Sequence, residues 1–159
     1  MKNTIYSING PVVTVQNAKD FSMLEMVYVG HEKLLGEVSS ISKTKTTIQV
    51  YESTTGLKVG EPVQSTGEPI SALLGPGLLS NIFDGIERPL RALKEKTGIF
   101  IPTGSDVESL DRNKSWDVTL TVKKGDFLTE GQIYGTIPET HSIEHRLLVP
   151  IGMKGEVVH

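Results

Sequence analysis

The chain has 159 residues, a length that suits one medium domain or two small ones. Its formal net charge of −3 offers no field for nucleic acid or an anionic membrane, and the lack of cysteine excludes disulfides and thiolate chemistry. The opening MKNTIYSING has no long apolar core of a signal peptide. No apolar run approaches the roughly 18 residues that cross a bilayer, so a soluble protein with no direct membrane insertion is expected.

The first seventy residues predict a small β-barrel. Thr4 to Ile8 is a short β-prone run, and Asn9-Gly10-Pro11 turns it back. Val12, Val13 and Val15 resume a strand, and Met26 to Val29 makes another. Leu34 to Ile41 is the next, with Gly36 marking a bulge or sharp bend. Thr46 to Tyr51 alternates, with Ile48 and Val50 on one face. Short strands separated by turn residues favour a closed barrel over a parallel sheet, and closure removes exposed edges. Gly56-Leu57-Lys58-Val59-Gly60-Glu61-Pro62-Val63 enters the last strand. Its outline recurs at Val122-Lys123-Lys124-Gly125-Asp126-Phe127-Leu128. Two copies are not a repeat array, but they suggest a second small β-module.

The middle predicts helices. Pro76 suits a first turn, and Leu78, Leu79, Ile82 and Phe83 have helical spacing that would bury one face. Gly85 is a stop. A second helix is expected over Arg88 to Lys96, with Pro89 near its start and Gly98 past its end. Ile99 to Pro102 leaves it extended, and a polar turn covers Ser105 to Asn113. Strands are then expected at Trp116 to Val122, Gln132 to Ile137 and Arg146 to Val149. The fold class is mainly β: a barrel over residues 1–70, a helical strap over 71–98 and a β-rich module over 99–159.

No segment fits the G-x-x-x-x-G-K-[ST] phosphate loop. Gly75-Pro76-Gly77 lacks the lysine and hydroxyl, and Ser80 stands where a dinucleotide motif needs its third glycine. The plainer reading is a tight turn feeding a strap. The residues singled out for it are Gly75, Pro76, Gly77, Phe83, Asp84, Gly85, Arg88 and Pro89. No catalytic, nucleotide-binding or metal residue is assigned. His141, Glu144 and His145 could begin a zinc site, but no further ligand is evident, and surface or interface histidines are the simpler reading. Asp106, Glu108 and Asp111 read as a solvated acidic loop, Lys43 and Lys45 as solubilising charge, and Trp116 as core. A rival reading rests on Gly152-Met153-Lys154-Gly155, where a biotinyl or lipoyl carrier would place its acceptor lysine on Lys154. Gly155 stands in place of the second methionine.

The run TGEPISALLGPGLLSNIFDGIERPL, from Thr66 to Leu90, resembles the segment closing the N-terminal barrel of the catalytic A subunit of V-type and A-type rotary ATPases. INGPVV at Ile8 and GLKVGEPV at Gly56 resemble that barrel's hairpin and last strand entry. TGIFIPTG at Thr97, SLDRNKSW at Ser109, VKKGD at Val122, IYGTIPET at Ile133 and HRLLVPIGMKG at His145 resemble the A subunit's inserted bulge. The resemblance covers essentially the whole chain. It implies a ring of six alternating A and B barrels, with the bulge reaching a peripheral stalk. It implies ATP hydrolysis or synthesis coupled to proton or sodium transport, in a soluble sector on the cytoplasmic side, peripheral to the membrane. In the family the phosphate loop and the general-base glutamate follow the bulge, so Mg-ATP is expected only in a longer subunit. This chain then reads as an N-terminal fragment, and residues after about Pro150 are expected to be frayed or paired only with another chain.

Overall fold

The computed structural model describes residues 3–16, 20–104 and 107–159. Ser105 and Asp106 of the expected acidic turn lie outside the described residues. Two compact units emerge: Met1–Ala72 with Phe83–Val107, and Leu73–Ile82 with Glu108–His159. The span expected as one strap is therefore divided between them.

The first unit contains β1 (Ile5–Asn9), β2 (Val12–Gln16), β3 (Glu25–Val29), β4 (Leu34–Ile41), β5 (Lys45–Val50) and β6 (Val63–Pro69). They form an antiparallel sheet in the order β1-β2-β5-β4-β3-β6. The sheet closes on itself. The Ile5 amide donates to the Glu61 carbonyl (2.9 Å), the Gly60 amide to that of Ile5 (2.8 Å), and the Val63 amide to that of Asn3 (2.9 Å). Gly10 is the first of two residues in the β1–β2 turn and has φ +57°, which a side chain resists.

Alternation along the strands fills the barrel. Ile5, Val13, Val15, Val27, Val29, Val38, Ile48, Val50 and Val63 point inward with Phe21 and Leu34. Gly36 is not the expected bulge. It allows close approach: a Cβ there would lie 2.9 Å from Ile48 Cγ2 and 3.1 Å from the Gln49 carbonyl oxygen. The register shift comes later, between Val38 and Ser40, which leaves Ser39 without a partner in the ladder.

α1 (Leu90–Thr97) occupies the place expected for the second helix. Pro89 caps its start, and Gly98 ends it at φ +81° with its amide on the Lys94 carbonyl at 2.9 Å. Leu93 is its buried residue. The helix expected after Pro76 does not form. Gly77 and Ser80 adopt φ +107° and +68°, which no α-helix accommodates. Leu79 and Ile82 are 43% and 56% exposed, and Phe83 is half-buried, so they make no buried face.

The second unit has β7 (Thr119–Leu120), β8 (Phe127–Leu128), β9 (Ile133–Pro138), β10 (Glu144–Leu148) and β11 (Gly155–Glu156). They pair as β10-β9-β7 and β11-β8. The strand expected from Trp116 shortens to β7, where Thr119 and Leu120 pair with Thr136 and Gly135 and the next amide, of Thr121, donates to the Tyr134 carbonyl at 3.0 Å. The tail is not frayed: Gly155 and Glu156 pair with Leu128 and Phe127, and Val157 exchanges backbone bonds with Gly125 and Asp126 at 2.9 Å each.

Candidate functional site

The strap residues fall into two clusters, each built around a carboxylate. In the first unit Phe83 bridges to Pro89, closing a loop over Asp84 to Arg88. Asp84 organises that loop. Its Oδ1 accepts the amides of Ile86 (3.1 Å) and Arg88 (2.9 Å), and its Oδ2 accepts Arg88 Nε at 2.7 Å. Burial pushes the Asp84 carboxyl up, but these bonds and the Arg88 charge outweigh it and hold it below its ordinary value. Gly85 lies inside the loop and is exposed.

Arg88 then reaches the barrel. Its Nη1 lies 3.0 Å from Glu52 Oε2, which also accepts the Gly104 amide at 3.0 Å. Glu52 and Arg88 side chains are 9% and 17% exposed, so the pair is sheltered from solvent. One carboxylate thus ties the stretch around Arg88 and the turn at Gly104 to the end of β5.

In the second unit Gly75, Pro76 and Gly77 form an irregular loop. A Cβ on Gly75 would lie 2.7 Å from Leu110 Cδ1, so a side chain there would push the end of Leu110 aside. Pro76 supplies no amide. The amides of Gly77 and Leu79 converge on Glu139 Oε1, at 2.7 and 3.0 Å. Two backbone N–H groups aimed at one oxygen form an anion nest. The anion here is a carboxylate from the end of β9.

Sequence reasoning misses three glutamates, Glu25, Glu52 and Glu139. Glu25 leaves a signal: it has the strand parity of Val27 and Val29, which face the core. It is 2% exposed and accepts the Ser22 amide (2.6 Å), the Gly67 amide (3.0 Å) and the Ser65 hydroxyl. Burial raises its carboxyl, yet Ser65 and the amides of Ser22, Gly67 and Thr66 bring it below its ordinary value. Glu52 and Glu139 are set by contacts distant in sequence, and no local pattern marks them.

The remaining candidates stand apart. His145 Nδ1 lies 3.7 Å from Glu139 Oε2, while His141 and Glu144 are exposed. Among the described residues no group of three or more His, Cys, Asp or Glu is placed to hold a metal. Glu108 pairs with Arg112 at 2.7 Å on the surface. Trp116 is half-buried rather than core, with Lys114 Nζ 3.9 Å from its ring centre. Lys154 is exposed just before β11, after a turn at Ile151 and Gly152. No helix among the described residues is long and apolar enough to cross a membrane.

Comparison with known proteins gives a consistent answer. Residues 5–67 match the ATP synthase alpha/beta family, beta-barrel domain, and residues 107–159 match the ATPsynthase alpha/beta subunit barrel-sandwich domain. The chain is 50% identical over 157 residues to a V-type ATP synthase alpha chain of Halothermothrix orenii, covering 99% of this chain and 27% of that one. It is 49% identical over 158 residues to the A subunit of the A-type ATP synthase of Methanopyrus kandleri, with the same two coverages. The corresponding A-type chain from Nanoarchaeum equitans is 52% identical over 156 residues, 98% of this chain and 27% of that one. The chain thus spans about a quarter of the length of these relatives, and the match lies in their N-terminal region. Among solved structures, the ATPase EscN of the enteropathogenic E. coli type III secretion system shares the fold, with TM-score 0.51 and 22% identity over 64% of this chain and 23% of EscN. Nothing in these matches supports a carrier role for Lys154.

Proposed function

Since the chain belongs to the ATP synthase alpha/beta family, we propose that it acts as the N-terminal, non-catalytic part of the A subunit of a V-type or A-type ATPase. The observation that carries this is identity near one half that runs through both units, over 98–99% of the chain. The barrel serves assembly, in a ring where A subunits alternate with B subunits. The second unit contacts a peripheral stalk. Mg-ATP binds in the complete subunit, beyond these residues, and its hydrolysis or synthesis is coupled to proton or sodium movement. The assembly works on the cytoplasmic side, peripheral to the membrane, and this region does not enter the bilayer.

The geometry suits a mechanical part. The barrel is closed, so it offers few free strand edges for unwanted pairing. Glu52, Asp84 and Arg88 fix the stretch that follows the barrel to its surface. An antibody against this chain, used on a mild-detergent extract of the source cells, should bring down stalk subunits together with a B subunit. Cross-linking from Lys123 and Lys124, both exposed in the second unit, should reach the stalk. Recovery of the chain without any B subunit would overturn the reading.

A further inference from the structure

We propose that the Leu73–Ile82 loop is an anion-binding nest whose resident anion is the Glu139 side chain, so that this one carboxylate latches the loop to the second unit. This does not depend on the assembly role proposed above. The loop has no ladder and no helix of its own. Its backbone is left-handed at Gly77, between the amides of Gly77 and Leu79, and those two amides turn to the same point. Asn81 Nδ2 donates to the Gly77 carbonyl at 2.6 Å and holds the turn in that shape.

The carboxylate is built in as firmly as the amides are. Glu139 follows β9 directly. Its own amide donates to the Ile143 carbonyl at 3.1 Å, and Thr140 Oγ1 accepts the Ile143 amide at 3.1 Å, so the β9–β10 turn fixes its backbone. The side chain is only 5% exposed. Oε1 takes both loop amides, while Oε2 faces His145 Nδ1 at 3.7 Å. A sheltered carboxylate on two amides is a charge-assisted contact, stronger than a neutral one. Removing the side chain leaves two convergent donors that suit any small carboxylate. Such a carboxylate can therefore take the place that Glu139 vacates.

Amide exchange and chemical shifts in the full chain test this. In Glu139→Ala, exchange at Gly77 and Leu79 should rise at least about tenfold, while the paired amides of β9 and β10 keep their rates. Sodium acetate should then shift the Gly77 and Leu79 signals of the variant saturably, back toward their wild-type positions. The same titration should leave the wild-type signals in place. Unchanged exchange at both amides, or no acetate response in the variant, would overturn the proposal. If Glu139→Ala does not fold, Glu139→Gln keeps the size and one acceptor oxygen without the charge. Exchange at Gly77 and Leu79 must still rise there, and unchanged rates would overturn the latch.

Discussion

The barrel and the strands of the second unit are both antiparallel, but different forces hold them. In the barrel Val13, Val27, Val29, Val38 and Ile48 are 0% exposed, and each such side chain contributes about 1.5–3 kcal/mol by leaving water. In the second unit Leu120 and Phe127 are 63% and 62% exposed, and among its described residues Ile137 is the fully buried apolar side chain. Turn chemistry does more there. Lys123 to Asp126 and Thr129 to Gln132 are turns with glycine at the third position, at φ +94° and +77°. In each, the fourth side chain reaches back to the first amide, Asp126 Oδ2 to Lys123 at 2.9 Å and Gln132 Oε1 to Thr129 at 2.7 Å. The barrel uses the same device at Lys58 to Glu61 (3.0 Å), but there the turn feeds a strand that a core already holds. Where burial is scarce, fixed turns and a buried carboxylate take over the work of ordering the chain.

The contrast breaks most clearly at matched isoleucines. Ile48→Ala should destabilise the barrel by about 2–5 kcal/mol, the usual range for emptying a packed site. Ile133→Ala, at a residue 41% exposed, should cost below about 1 kcal/mol. Amide exchange at Val27 and Val50 reads the first, and urea melts followed by Trp116 fluorescence read the second. Equal losses would mean that the second unit hides a core of its own.

Polar groups inside the barrel come next. Glu25→Gln removes the charge from a carboxylate that joins β3 to β6, and hydrogen bonds to charged groups are worth about 1.5–3 kcal/mol. The carboxyl is held below its ordinary value in the fold. Its contribution is therefore complete above the unfolded carboxyl pKa and is lost as pH falls through the lower folded one. Urea midpoints should drop with acid in the wild type, and less steeply in Glu25→Gln. Parallel pH profiles would show that Glu25 does not report on folding.

Arg88→Ala should follow, at about 1–3 kcal/mol, because it strands the sheltered carboxylates of Glu52 and Asp84. Limited proteolysis should then cut between Asp84 and Gly104 before the barrel strands. Cleavage at the wild-type rate would mean that Leu93 and Pro89 hold this stretch without the ion pair.

What is legible in the sequence follows the same division. Period-two alternation marks the barrel strands because Val27, Val29, Ile48 and Val50 face one interior. α1 is legible from Pro89 and Gly98, which act through the backbone alone. The false helix at Leu78 to Phe83 has the right spacing, but its backbone is set by Glu139, 60 residues from Leu79. Periodicity carries no information about such a partner. The strap residues stand together in the sequence, yet which carboxylate holds each of them is a matter of tertiary contact.

The smallest effect expected has the opposite sign. Thr46 is 0% exposed on β5, and its Oγ1 has no hydrogen-bond partner among the described residues. It shares the inward face with Ile48 and Val50, both apolar and buried. A buried hydroxyl without a partner costs its desolvation, about 1–3 kcal/mol, in exchange for nothing. Valine has nearly the same shape and the same β-branched preference for a strand. Thr46→Val should therefore stabilise the barrel by up to about 1 kcal/mol, seen as a higher urea midpoint at unchanged slope. A stabilised variant would support a barrel held by burial alone at this position. A loss of stability would show that the hydroxyl is bonded in solution, through water inside the barrel, and that the barrel shares some of the polar support seen in the second unit.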